Sequence, residues 1–150
     1  MRVAVIAVGK LREAYVRSGC ELYVKRLRPY YAVETIEVRK GSGTTTAAEE
    51  GRSILGRIEP TDVVWALDRT GDAFASPALA KRIADLERAG HRRLVLAIGG
   101  AEGLAEAVLL RADLQWSLSP LTFLHEMARL IVLEQLYRAA KIARGEPYHR

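Results

Sequence analysis

Short apolar runs alternate with longer amphipathic segments along this chain, and turn-forming residues separate them. Runs of this length that are rich in β-branched residues and bounded by turn signals are typical of buried strands. A run that alternates apolar and polar residues is instead typical of a half-exposed strand. The pattern predicts strands at residues 2–8, 33–40, 63–67, 94–98 and 114–118, of which 33–40 is the half-exposed one.

Helix-forming segments lie between these strands, at residues 11–31, 47–58, 76–89, 104–111 and 122–144. Pro29 should end or kink the first helix, because a proline inside a helix removes a hydrogen bond and clashes with the preceding turn. Ser76 should cap the third helix, with Pro77 at its first helical position and Gly90 just after its last turn. The GSGTTT segment at residues 41–46 predicts a mobile loop.

Strands that alternate with helices predict an α/β fold, in which a mostly parallel sheet is flanked by helices. The chain has no internal repeat and no long linker, so we expect residues 1–150 to form a single domain. Ligands of such sheets bind beyond the carboxyl ends of the strands. This rule selects three loops, at residues 67–71, 98–103 and 117–122, as the candidate binding surface.

Glycines dominate the second of these loops. Gly99, Gly100 and Gly103 would let the backbone approach a ligand closely, and a tight turn between strand and helix explains them equally well. In the third loop, Ser119 and Thr122 offer hydroxyls to a ligand at a helix N-terminus. Simple capping of the helix is the interpretation that these two residues favour on their own.

Several common sites are missing from the sequence. The first turn holds only Gly9-Lys10 rather than a GxGxxG motif, and neither GxxxxGK[ST] nor GxSxG occurs. A nicotinamide-dependent oxidoreductase would also need an acidic residue after the second strand, where Arg39 and Lys40 stand. The three histidines have no metal-ligand spacing, and Cys20, the single cysteine, is expected only to pack.

Composition narrows the class of partner. A hydrophobic fraction of 49% with 27% charged residues is globular. The net charge of +5 and the pI of about 9.6 favour a polyanionic partner such as nucleic acid. The apolar opening RVAVIAV is too short for a signal peptide and no run is long enough to span a membrane, so we expect a cytoplasmic protein.

The last predicted helix carries apolar residues on every side over 130–133, which indicates burial on more than one face and favours a partner subunit. On its polar side, Glu134 and Arg138 have the spacing of an ion pair. His125 and Arg129 lie on the apolar side and should find structural partners there. After a Gly-Glu-Pro break, Tyr148, His149 and Arg150 offer side chains that stack, transfer protons and clamp anions, which indicates a working surface.

The order of these features resembles one family. A strand that runs into LD, a strand that runs into IGGAEG and the ending WSLSPLTFLHEMARLIVLEQLYRAAKIARGEPYHR are similar to the ribosomal RNA large subunit methyltransferase H family, small members of the SPOUT superfamily. The resemblance covers essentially the whole chain, and its last fifty residues are the most specific part. It implies a C-terminal trefoil knot and a homodimer with the knot helices at the interface.

The resemblance also implies an activity. The reaction would be methylation of N3 of a pseudouridine in 23S rRNA, with S-adenosylmethionine as cofactor, the assembled ribosome as substrate, and neither a metal nor a membrane involved. The implied cofactor site comprises Leu67, Gly99, Gly100, Leu118, Ser119, Pro120, Leu121, Thr122, Phe123 and Leu124. Some relatives have a proline where Leu124 stands, so its backbone is the expected contact.

The ending of the chain supplies the candidate catalytic residues. An imino proton must leave N3 before or during methyl transfer, and His149 is a candidate base because an unperturbed imidazole has a pKa near neutrality. Tyr148 would stack on the target base, and Arg150 would hold a phosphate or the developing anion. Glu134 and Arg138 would orient the tail or serve the partner's active site. The alternative is a non-catalytic RNA-binding protein with a vestigial cofactor pocket.

Overall fold

The structure, a computed structural model, describes residues 1–148, so His149 and Arg150 lie outside the described residues. Within residues 1–148, five strands form one parallel sheet in the order β2-β1-β4-β3-β5. Their bounds are β1 (Arg2–Val8), β2 (Ala32–Val38), β3 (Val63–Asp72), β4 (Arg93–Ile98) and β5 (Leu114–Trp116). The predicted α/β class with a parallel sheet is therefore confirmed.

Helices cover both faces of the sheet. Their bounds are α1 (Ala14–Leu27), α2 (Thr46–Leu55), α3 (Ser76–Arg88), α4 (Glu106–Arg111) and α5 (His125–Ala143). Helices α1, α3 and α5 pack on one face, against Val3 and Val5 of β1, while α2 and α4 pack on the other, against Ala4 and Ile6. Successive strand residues point to opposite faces, so this double cover explains why β1 and β4 are buried along almost their whole length.

Two local predictions need correction. Residues 41–46 do not form a simple loop, because Gly43–Thr45 is a short 3₁₀ helix that leads directly into α2. Ser76 does not cap α3 but is its first residue, preceded by Ala75 at the cap position. Its hydroxyl instead donates to Oε1 of Gln135 at 2.8 Å, which ties α3 to α5. Gly90 follows the helix with φ of 82°, as predicted.

Helix α5 lies between α1 and α3, over the sheet. Val132, Leu133 and Leu136 are fully buried there within a single chain. The chain's own packing therefore accounts for Val132 and Leu133 of the apolar run 130–133, whereas Leu130 and Ile131 are only half-buried. The partner subunit expected from this run stays a prediction. Arg129 on the same helix meets the expectation of a structural partner: its guanidinium donates to Oε2 of Glu37 at 2.9 Å and to the carbonyl oxygen of Gly9 at 3.0 Å.

Three further observations concern the cysteine, membrane spans and metal sites. Cys20 is buried in the main core, and burial raises the pKa of its thiol to about 11, which fits a packing role. No helix in the described part of the chain is long and apolar enough to cross a membrane. Among residues 1–148, no His, Cys, Asp and Glu side chains form a group of three or more that could hold a metal ion.

Candidate active site

A cleft of about 670 Å³ opens at the carboxyl edge of the sheet. It lies where the carboxyl-terminal part of β3 and the loops after β4 and β5 meet the N-terminus of α5, as the rule for parallel sheets predicts. Of the residues predicted to bind cofactor, the following line the cleft: Leu67, Gly99, Gly100, Leu118, Ser119, Leu121, Thr122, Phe123 and Leu124. Pro120 is exposed and does not line it.

The glycine turn after β4 folds back on itself. The N–H of Gly103 donates to the carbonyl oxygen of Gly100 at 3.0 Å, and Gly103 has φ of 76°. A Cβ atom on Gly99 would lie 2.6 Å from the carbonyl carbon of Gly103, so only glycine fits there. Gly99, Gly100 and Gly103 also line the cleft. Both interpretations of these glycines therefore hold, because the same residues form a tight turn and leave the backbone open to the cleft.

A bulge in β3 brings two charged side chains to the cleft. Leu67 and Asp72 both pair with Trp116 of β5, so residues 68–71 are extruded between them. Asp68 and Arg69 line the cleft as a result. The hydroxyl of Ser117 fastens the bulge by donating to the carbonyl oxygen of Arg69 at 2.9 Å. Both charged residues lie in the predicted loop 67–71, where the sequence pattern singles out neither; Gly71 is the feature that could have indicated the bulge.

Gly71 is required by the bulge. A Cβ atom at this position would lie 2.4 Å from the carbonyl oxygen of Gln115, so no larger residue fits between the two strands. A glycine just beyond a predicted strand marks a bulge or a close approach of two backbones.

The loop after β5 does not cap the following helix with a side chain, so the capping interpretation is wrong. The cap position of α5 is Leu124, and its side chain makes no capping hydrogen bond. The Ser119 hydroxyl accepts from the N–H of Leu121 at 3.1 Å, which closes a local turn. Thr122 instead accepts a weak hydrogen bond from Arg69, at 3.5 Å. The first amides of α5 therefore lack a capping side chain, and His125, the first residue of the helix, lines the cleft. Uncapped amides at a helix N-terminus favour a negatively charged group.

His125 lies at the mouth of the cleft, together with Glu102 of the glycine turn. Helical spacing had placed His125 with Arg129 on the apolar side of the last helix. It is instead half-exposed and lines the cleft, as the first residue of α5. The sequence held no signal that would separate these two residues.

The ion pair predicted between Glu134 and Arg138 of α5 is present. Oε1 of Glu134 accepts from Nη2 of Arg138 at 2.7 Å, and the hydroxyl of Tyr148 donates to the same oxygen at 3.1 Å. The Tyr148 ring meets the Tyr137 ring edge to face, with 4.9 Å between the ring centroids. The Arg138 guanidinium lies 4.7 Å from the centroid of the Tyr148 ring. Burial raises the pKa of Tyr148, and the hydrogen bond to Tyr23 and the negative charge of Glu134 raise it further, so this hydroxyl stays protonated.

These residues are not part of the cleft of the same chain. Glu134, Arg138 and Tyr148 do not line it. Glu134 lies nine positions after His125 on α5, a distance of about 14 Å at the usual rise of a helix. The cleft thus lies at the start of α5, and the cluster around Tyr148 begins at the middle of the helix.

Comparison with known proteins gives a consistent result. A profile described as "Predicted SPOUT methyltransferase" matches residues 1–149. A protein of Moorella thermoacetica is 45% identical over 159 aligned positions, which cover 100% of this chain and 99% of the relative. A protein of Parasynechococcus marenigrum is 44% identical and covers 99% of this chain and 96% of the relative. Both are named "Ribosomal RNA large subunit methyltransferase H".

A solved structure supports the fold alone. It is a probable methylase family protein from Haemophilus influenzae Rd KW20, with a TM-score of 0.60 and 10% sequence identity. The match covers 99% of this chain and 70% of the other.

Proposed function

We propose that this chain, which belongs to the SPOUT methyltransferases and among them to the ribosomal RNA large subunit methyltransferase H family, methylates N3 of a pseudouridine in 23S rRNA. The cofactor is S-adenosylmethionine and the substrate is the assembled ribosome. The observation that carries the proposal is the cleft at the carboxyl edge of the sheet, where a glycine turn and an uncapped helix N-terminus converge.

The residues of the cleft fit S-adenosylmethionine. The volume of the cleft, about 670 Å³, lies within the range of small-molecule sites, roughly 300–1,000 Å³. Leu67 and Phe123 would offer apolar surface to the adenine ring, and the backbone of the glycine turn at residues 99–103 would be open to its polar edges. Asp68 carries a charge opposite to that of the cofactor's ammonium group, and Arg69 one opposite to that of its carboxylate.

The bound cofactor supplies an electrophilic methyl group on a sulfonium centre, so the protein's work is alignment and removal of the N3 proton. The Tyr148 hydroxyl is not the base, because its raised pKa keeps it protonated. It is available to stack on the target base through its ring. His149 is the proposed base and Arg150 the group that holds a phosphate or the developing anion.

The proposal includes a homodimer, because the cleft and the Tyr148 cluster are separated within one chain. A partner's ending would then complete the cleft. Two apolar zones support such an arrangement: Tyr15 and Leu22 are 60% and 44% exposed on one face of α1, and Leu121 and Leu124 are exposed beside the cleft. A C-terminal trefoil knot and a cytoplasmic location complete the proposal.

The test is incubation with radiolabelled S-adenosylmethionine and ribosomes that lack the modification, followed by mapping of the labelled nucleotide. We expect label at one pseudouridine of 23S rRNA. Label on protein or on free nucleosides would contradict the substrate. A non-catalytic RNA-binding protein would bind RNA with strong salt dependence and give no heat with S-adenosylmethionine in calorimetry.

A further inference from the structure

Two buried carboxylates hold two loops against the cleft. The first is Glu126, which is 4% exposed and follows His125 at the start of α5. Its Oε1 accepts hydrogen bonds from the backbone N–H groups of Arg12 and Glu13, the second at 3.3 Å. The loop after β1 is therefore attached to the helix turn that forms the cleft mouth.

The second carboxylate is Glu50 of α2, which is 3% exposed. Its Oε1 accepts from the N–H of Gly41 at 3.2 Å, so it holds the segment that leaves β2. Its Oε2 has no hydrogen-bond partner among the described residues and lies 3.2 Å from the position that a Cβ atom on Gly100 would occupy. The loop after β2 is therefore attached to α2 through a side chain that lies beside Gly100 of the cleft lining.

These attachments bring the two loops side by side. The N–H of Gly9 donates to the carbonyl oxygen of Val38 at 2.8 Å, just where both strands end. The Arg129 guanidinium also connects the ends of β1 and β2, because it donates to the carbonyl oxygen of Gly9 and to the carboxylate of Glu37. Burying a charged group is costly unless it is paired or hydrogen-bonded. Glu126, Glu50 and Arg129 are three buried charged groups on helices, and all three bind the ends of β1 and β2 or the loops that follow, which indicates that the position of these loops matters.

The side chains that the loops present are cationic. Lys10 and Arg12 follow β1, Arg39 and Lys40 follow β2, and all four are exposed. None of the four has an ion-pair partner among residues 1–148. We call these four residues the basic rim. Since β1 pairs with β4, the rim adjoins the glycine turn on the side of the sheet away from β5.

We propose that the basic rim binds the phosphates of the RNA strand that carries the target nucleotide. This inference rests on the proposed function, since it assigns the surface on which that substrate lies. Exposed lysines and arginines neutralise phosphates and release counterions, and they read no sequence. The rim would therefore contribute affinity, while the cleft and the chain's ending select and modify the base.

The test compares two quadruple variants of the full-length protein. In the first, Lys10, Arg12, Arg39 and Lys40 are changed to glutamine. In the second, the same change is made at four exposed arginines of the opposite edge, Arg2, Arg28, Arg57 and Arg92. Both variants lose the same net charge, so a non-specific electrostatic effect would weaken them equally.

The readout is the KM for unmodified ribosomes between 50 and 200 mM KCl at constant Mg²⁺. Each phosphate contact contributes a slope of about 0.7–0.9 in log affinity against log salt, so over this range four contacts account for roughly 50- to 150-fold of the salt-dependent loss. We expect the rim variant to lose that part of the salt dependence, with kcat at saturating ribosomes and the Kd for S-adenosylmethionine unchanged. The control variant should retain the wild-type slope.

An unchanged slope in the rim variant, or an equal loss in the control variant, would overturn the assignment of the rim. Failure of the proposed function has a different signature. In that case the wild-type protein itself would give no heat with S-adenosylmethionine and no label in ribosomal RNA, whatever the state of the rim.

Discussion

Tyr148 donates a hydrogen bond from its hydroxyl to Oε1 of Glu134, at 3.1 Å, and so joins the last described residue of the chain to the middle of α5. The same oxygen accepts from Arg138, whose guanidinium also lies beside the Tyr148 ring. The ion pair that helical spacing predicted is thus one part of a cluster that fixes the direction of the chain's ending.

The first prediction separates Tyr148 from His149 in the pH dependence of kcat. A histidine base must be neutral to accept the N3 proton, so the rate of the wild-type enzyme should rise with pH through about 6.5. Tyr148→Phe keeps the ring and loses only a hydroxyl that stays protonated, so its profile should keep that shape. His149→Asn should lose the rise, as measured by single-turnover methyl transfer. A rise that persists in His149→Asn would remove this residue as the base.

The second prediction ranks two glycines of the turn by their surroundings. In Gly99→Ala the new Cβ would lie 2.6 Å from backbone of Gly103, which cannot yield locally, so we expect a loss of about 1–3 kcal/mol in the free energy of unfolding. In Gly100→Ala it would lie 3.2 Å from the side chains of Glu50 and Val8, which can shift, so we expect less than about 1 kcal/mol. Denaturant unfolding measures both.

Gly56→Ala is the matched control for these variants, since its Cβ would make only ordinary contacts, at 3.4 Å or more, in a helical conformation. It should leave stability unchanged or slightly raised. A Gly100→Ala variant that is less stable than Gly99→Ala would contradict the ranking.

The central strands could be predicted from the sequence because their signal is local. The predicted bounds of β1 agree with the structure, and those of β4 differ by one residue, since strands buried on both faces appear as continuous apolar runs. The predicted β3 ended at Leu67, five residues too early. Its extension depends on pairing with Trp116 across a bulge, a contact that no local pattern encodes.

The candidate site likewise has parts that the sequence predicts and parts that only the folded chain reveals. The glycines of the turn were found because a strand that ends in several glycines is visible in the sequence, and the loop after β5 was found from its order in the chain. Asp68 and Arg69 were not singled out, since the bulge that presents them forms only in the folded sheet. The role of Glu126 could not be found either, because the backbone groups that it binds lie 114 and 113 residues away.

The third prediction concerns the acid stability that Glu126 provides. Hydrogen bonds from the N–H groups of Arg12 and Glu13 lower the pKa of its carboxyl below the ordinary value of 4.5. A folded-state pKa that is lowered stabilises the protein above the unfolded-state pKa, and the contribution is lost as pH falls through the folded-state value. Glu126→Gln should therefore be less stable than wild type at pH 7, and the difference should shrink below about pH 4.5.

Denaturant unfolding at a series of pH values measures this difference. Glu106→Gln is the control, because Glu106 is exposed in the first turn of α4, and its stability difference should stay small throughout. A gap between Glu126→Gln and wild type that is the same at pH 7 and pH 3 would show that the carboxylate charge contributes nothing.

The fourth prediction tests the proposed dimer. Tyr15 and Leu22 are seven residues apart on α1 and share its exposed face, so changing both to serine should weaken an interface formed there. We expect a shift toward monomer in sedimentation velocity and a loss of methyl transfer, with the Kd for S-adenosylmethionine retained. Leu110→Ser is the control, because Leu110 is 78% exposed on α4, which packs on the opposite face of the sheet. A wild-type protein that sediments as a monomer at assay concentration would exclude the dimer.

The fifth prediction asks whether each site combines a cleft from one protomer with the ending of the other. Ala101→Trp should block the cleft, because Ala101 is an exposed residue of its lining, and calorimetry with S-adenosylmethionine would verify the block. His149→Asn removes the proposed base and leaves the cleft intact.

In a mixed dimer of these two variants, one of the two combined sites is intact. An equal mixture that exchanges protomers freely should therefore recover about a quarter of wild-type activity, since half of its dimers are mixed. If each chain's ending instead served its own cleft, the mixture would stay inactive, because no single chain would carry both intact parts.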